Sequence, residues 1–194
     1  MLRSNARMLA LAVLAAAGCA SPPSSFYALE PVAVRGAGDP VPQAVIVGPV
    51  SVPASVDRPE IVVRLAENQV RVDELNRWVS PLGDAIARTV SGNLSALLGT
   101  PDVATAPFAN FQPVYRVTID VQRFDSAPGE SATLDAVWVV RRTSGGAARS
   151  GRTTAREAVQ GEGYGALAAA HSRAIATLSE DVAGAIRSDA GGGR

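Results

Sequence analysis

Residues Ser80–Gly99 read SPLGDAIARTVSGNLSALLG. Leu82, Ile86, Val90, Leu94, Leu97 and Leu98 recur at helical spacing and form one apolar stripe. Ser80 is a capping residue type, Pro81 suits the first helical position, and Gly99 followed by Pro101 stops the element. The spacing predicts a helix over 80–98, with Asp84, Arg88 and Asn93 turned outward. Such a stripe needs a surface to cover.

The flanking segments supply strands. Downstream, Tyr115, Val117, Ile119 and Val121 alternate with Arg116, Thr118, Asp120 and Gln122. Leu134, Ala136, Trp138 and Val140 repeat the pattern, and Gly151–Val159 follows after a glycine turn. Three strands with short turns predict an antiparallel meander. Upstream, Ala44–Pro53 is apolar on both faces and predicts a central strand, bent at Pro49 because proline cannot donate to a ladder. Ile61–Leu65 and Gln69–Asp73 predict a hairpin, with Ile61, Val63, Leu65, Val70 and Val72 on one face and Arg64 and Arg71 on the other. Phe26–Leu29 is an early strand, and Val103 marks a short one.

A second helix is expected over 165–187, with Leu167, His171, Ala174, Leu178, Val182 and Ile186 on an alanine-rich face. The fold expected is α+β: a two-layer sandwich with a mixed, mainly antiparallel sheet and two long helices on one face. The sheet's other face is left without helices. Val137 and Val139 lie on it, so it faces water or a partner.

The N-terminus sets the compartment. Met8–Cys19 (MLALAVLAAAGC) follows Arg3 and Arg7, the pattern of a secretory signal too short for a permanent span. Ala16-Ala17-Gly18 before Cys19, the sole cysteine, is similar to a bacterial lipobox. The division expected is a signal peptide over 1–18, an acylated Cys19 and Pro/Ser spacer over 19–25, a periplasmic domain over 26–187 and a disordered tail over 188–194. Acyl chains at roughly 0.8 kcal/mol per buried CH₂ hold such a chain to a membrane. Ala20, rather than Asp, after the cysteine points to the outer membrane as lipoprotein sorting is generally understood.

Composition narrows the chemistry. The 194 residues carry no lysine, and loss of Arg3 and Arg7 leaves the acids in slight excess. Nucleic acid, which needs a basic stripe, is not an expected partner. With Cys19 acylated no free thiol remains. No nucleophile elbow, phosphate-binding glycine loop or His/Cys cluster occurs, so neither enzyme activity, cofactor nor metal is expected. Asp57-Arg58-Pro59-Glu60 reads as a turn able to meet a partner. Arg64 is either a solvated charge or half of an ion pair. Trp78 is either a core plug or an interface anchor. His171, the single histidine, is expected to be packed and hydrogen-bonded.

Gly48-Pro49-Val50-Ser51-Val52-Pro53, Asp57–Arg64, Asn76-Arg77-Trp78 and Pro81-Leu82 together resemble the PqiC (YmbA) family of auxiliary lipoproteins of ABC-type intermembrane transport systems. Phe26–Leu29 and Ala170-His171-Ser172 fit the same family. The resemblance implies a lipoprotein on the inner leaflet of the outer membrane. It implies an MCE-domain partner forming a periplasmic tube, a permease and ATPase elsewhere, a ring of copies, and phospholipid-class lipid as cargo. On this reading Asp57, Arg58, Glu60, Arg64 and Trp78 are candidate partner contacts. A structural or pilot lipoprotein of another envelope complex, or a periplasmic hydrolase using Asp57 and Glu60, are the other readings that the residues leave open.

Overall fold

The computed structural model describes residues 22–35 and 40–192. The signal segment, Cys19, part of the Arg35–Gln43 loop and the last two residues lie outside them. The elements are β1 Ser25–Tyr27, β2 Val45–Ser51, β3 Glu60–Ala66, β4 Gln69–Trp78, α1 Leu82–Leu98, β5 Val103–Ala104, β6 Tyr115–Ala127, β7 Ser131–Arg142, β8 Arg149–Ala158 and α2 Gly163–Gly191.

The 13-residue β6 is the spine of the sheet. On one side β7 runs antiparallel along its whole length and β8 follows, giving the expected meander. The other side is shared. β2 lies parallel to the first half of β6, and β3 touches its far end in parallel at Val63–Ser126. The sheet therefore forks, with β5 outside β2 and with β4 and then β1 outside β3. The register of β2 slips between Val47 and Val50. Gly48 there sits at φ 134°, and Pro49 has no N–H to donate, so the bend expected at Pro49 is present.

Both helices cover one face, making the two-layer α+β sandwich. The inward residues of β6 and β7 are those that alternation selects, and all six stripe residues of α1 are buried. Gly99 ends α1 in the left-handed region (φ 67°), its N–H bonded to the Ser95 carbonyl at 3.0 Å. Its start differs from expectation. Pro81 occupies the capping position with extended ψ, so Ser80 stands one residue too early to reach a free amide. The Ser80 hydroxyl instead accepts from Arg88 at 2.5 Å.

Three further expectations are corrected. Asn93 is wholly buried, not outward. Its Oδ1 accepts from Val32 and Ala33 N–H groups at 2.9 Å, and its Nδ2 donates to Ser179 on α2 at 3.2 Å. One amide thus ties the strap Leu29–Arg35 to both helices. Next, α2 runs on through Ser188–Gly191 instead of ending in a tail at Arg187. Asp189 holds that last turn, accepting from Tyr115, Arg142 and Arg149. Finally, Arg64 and Arg71 lie on opposite faces of the hairpin. Direct partners share a face, and the pairs are Val63–Arg71 and Arg64–Val70. Ile61 and Val63 are buried, but Leu65 and Val70 are exposed.

Candidate docking surface

The helix-free face and its β1 edge gather the residues that the sequence singles out. Pro53–Glu60 enters this region as a turn, in which the Val56 and Asp57 N–H groups bond to the Pro53 carbonyl. Asp57 and Arg58 are exposed at its tip. Glu60 opens β3 and pairs across to Arg77 of β4. Its carboxylate meets Arg58 at 3.2 Å and Arg77 at 3.4 Å, so one acid bridges two guanidinium groups. A backbone hydrogen bond first, and Arg58 second, hold the Glu60 carboxyl below its usual range.

That pairing needs a distortion. Between Asp73, opposite Ile61, and Arg77, opposite Glu60, β4 carries three extra residues. Asp73 Oδ1 organises this bulge by accepting from the Leu75 and Asn76 N–H groups, each at 3.2 Å. Arg77 Nε then donates to the Glu74 carbonyl at 2.9 Å. On the other side of β4, Phe26 of β1 stands in register with Arg77. Tyr27 and Trp78, the next pair, point into the core instead.

Arg64 sits further along the same helix-free face, where β3 meets β6. It donates to Asp125 at 2.8 Å and to the Glu67 carbonyl at 2.6 Å. Arg123 also bonds Asp125. Burial alone would raise the Asp125 carboxyl, but these two guanidinium groups outweigh it and hold the carboxyl low. Nearby, Arg152 grips Asp135 through both oxygens, at 2.8 and 2.5 Å, and keeps it ionised. A shallow groove of about 430 Å³ opens among Ser55, Val56, Arg64, Asp125, Asp135 and Arg152.

Glu60, Asp125 and Asp135 are therefore each held by guanidinium groups. A general acid or base works with a pKa near the working pH, and these carboxyls are pushed away from it. Planar, bonded charge suits recognition by shape and complementarity. Among the described residues no group of three or more His, Cys, Asp and Glu is placed to hold a metal ion. Among them, too, no helix is long and apolar enough to cross a membrane.

Of the sequence candidates, Arg58 and Glu60 are bonded to each other with Asp57 next in the chain, whereas Arg64, four residues further along β3 than Glu60, lines the groove and bonds Asp125. Trp78 does not join them. It is 5% exposed and packs edge-on against Phe124 and His171, which removes it as a contact residue. Arg77, Asp125, Asp135 and Arg152 were not singled out as site residues. Their signal is weak in one dimension, since each is an ordinary charged residue until a bulge or a neighbouring strand gives it a partner.

A family model described as the ABC-type transport auxiliary lipoprotein component matches residues 27–183. Among solved structures, an uncharacterized protein superposes with a TM-score of 0.68 at 21% identity, over 84% of this chain and 99% of the other. A DUF330 protein from Xanthomonas campestris superposes with a TM-score of 0.65 at 20% identity, over 86% of this chain and 99% of the other. At such identities the likeness is one of fold. No curated protein matches the chain.

Proposed function

The chain belongs to the family of ABC-type transport auxiliary lipoprotein components, and from that premise we propose that it is a non-catalytic docking subunit on the periplasmic face of the outer membrane. Acyl chains on Cys19 hold it in the inner leaflet. The folded domain receives the end of a periplasm-spanning MCE-domain protein and couples it to that membrane. The cargo is lipid of the phospholipid class, and energy enters through an ATPase elsewhere in the system. Copies of the chain surround the tube end as a ring.

The family match over residues 27–183 carries this reading. The helix-free face supports it, because Glu60, Asp125 and Asp135 are each paired with guanidinium groups and their carboxyls are held low. Such a face is suited to binding by complementarity.

Co-purification tests the proposal. The acylated chain, extracted in detergent with its MCE-domain partner co-expressed, should bring that partner down. Combined Asp57→Ala, Arg58→Ala and Arg64→Ala substitutions should weaken recovery at least tenfold without loss of folded protein. Failure of the intact chain to retain the partner would overturn the proposal.

A further inference from the structure

The edge of the sheet formed by β1 carries exposed apolar side chains that the core does not use. Phe26 and Val79 are each 62% exposed, and Leu75 in the neighbouring bulge is 41% exposed. They are close in space. Phe26 stands beside Arg77 in the β1–β4 register, and the Val79 N–H bonds to the Tyr27 carbonyl at 2.9 Å. Phe26 and Arg77 point away from the core, opposite to Tyr27 and Trp78. β1 is an outer strand, paired among the described residues with β4 alone.

The position of this edge along the chain is what gives it meaning. Phe26 lies seven residues after Cys19. Seven residues span at most about 25 Å even when fully extended, whereas the 29-residue α2 is roughly 43 Å long. A chain held at Cys19 therefore keeps the β1 edge near the bilayer while the far end of the domain is free to stand away.

We infer that Phe26, Leu75 and Val79 form a second membrane contact, inserting at the headgroup boundary beside the anchor. This rests on acylation of Cys19 as proposed above. An aromatic ring and two aliphatic side chains match the interfacial zone, where apolar atoms meet acyl chains. Glu60, Asp57 and Glu74 lie near Arg58 and Arg77, so the rim is close to neutral. Apolar burial, not bulk charge, drives the contact. The consequence is an orientation that sets the β1–β4 corner of the helix-free face on the bilayer and leaves the groove lined by Arg64, Asp125, Asp135 and Arg152 open to a partner.

The Phe26→Trp variant of the full chain tests this in phosphatidylethanolamine/phosphatidylglycerol vesicles containing lipids brominated in the acyl chain. Trp78 and Trp138 are buried and provide a low background. The emission should shift blue and be quenched several-fold more than that of Phe108→Trp, a variant at an equally exposed residue on the β5–β6 loop. High salt should not abolish the quenching. Val79→Trp gives a second probe of the same edge. Quenching no greater than the Phe108→Trp control would overturn the inference. So would a blue shift that rises with protein concentration without vesicles, which would show that a second copy covers the patch. Intact mass reports acylation separately. If Cys19 carries no acyl chain, its thiol is coupled to a maleimide lipid, and the same quenching comparison then decides the patch while the anchor reading alone has failed.

Discussion

Phe124 lies flat against His171, the ring centroids 3.9 Å apart and the planes 9° from parallel. Trp78 closes on both rings from the side at 6.0 Å. The cluster joins β6, α2 and the end of β4. His171 Nε2 shares a 2.8 Å hydrogen bond with the Ser126 hydroxyl, and its Nδ1 is buried without a partner. Burial pushes its pKa down to about 3, against a small opposing pull from Asp125.

The first prediction follows from that burial. Between pH ~6.5 and ~3 the unfolded chain binds a proton at His171 that the folded chain refuses. Stability is therefore fully present above pH ~6.5 and falls as pH drops, by roughly 1.4 kcal/mol per unit below about pH 6. Urea unfolding midpoints at pH 7 and pH 5 check this. His171→Gln should be less stable at pH 7 but should show a much flatter change between the two. An equal slope in both proteins would rule out His171 as the cause.

Trp138 and Gly151 face each other on β7 and β8. A Cβ on residue 151 would lie 2.3 Å from the indole ring. The ring cannot retreat, because its Nε1 donates to Thr153 at 3.1 Å and Thr153 donates to Asp181 at 2.5 Å. Gly151→Ala should cost about 1–3 kcal/mol by overpacking. Adding Trp138→Leu should recover part of that loss, which thermal denaturation of the double variant would reveal.

Asn93 secures the strap, so Asn93→Ala leaves two N–H groups without an acceptor. The expected loss is about 2–3 kcal/mol. Hydrogen exchange at Val32 and Ala33 should accelerate more than exchange in the β6–β7 core. Gly92→Ala should act on the same segment, because the added carbon would meet Pro31 at 2.4 Å. Unchanged exchange at Val32 and Ala33 in the Asn93→Ala variant would contradict the assigned role.

Glu60 separates contact from stability. Its bridge to Arg58 and Arg77 is at the surface, where ion pairs stabilise little. Glu60→Ala should leave the melting temperature nearly unchanged while freeing two arginines of the proposed docking surface. Partner recovery should fall, and the fall should be smaller for Glu60→Gln. A large drop in melting temperature would instead mark Glu60 as a structural residue.

Much of this was legible because local chemistry agreed with tertiary packing. The α1 stripe, the Gly99 stop and the inward faces of β6 and β7 are periodic, and burial follows the period. The hairpin faces were not legible. The slip near Ala66 and the bulge at Glu74–Asn76 change which residues share a side, and no alternation pattern encodes an inserted residue. The last turn of α2 reads as a polar tail because Ser188, Asp189 and Gly191 are poor helix formers. What keeps it helical is distant in sequence, namely Tyr115, Arg142 and Arg149 around Asp189. Asn93 reads as solvent-facing for the same reason, since its partners, Val32, Ala33 and Ser179, are distant in sequence.

Of the candidate site, the turn and its charges were legible as residues but not as a surface. Glu60 and Arg77 are brought together only by the bulge, and Arg64 meets Asp125 only because β3 touches the end of β6. Trp78 sits beside the charged motif in sequence, yet strand alternation turns it inward.

The account depends above all on the tether at Cys19, and fractionation of cells producing the chain or its Cys19→Ala variant tests it most directly. The intact chain should sediment with the outer membrane and carry acyl chains by mass, while Cys19→Ala should appear as a soluble, folded periplasmic protein. An intact chain recovered unacylated in the soluble fraction, or a Cys19→Ala variant still held in the outer membrane, would contradict it.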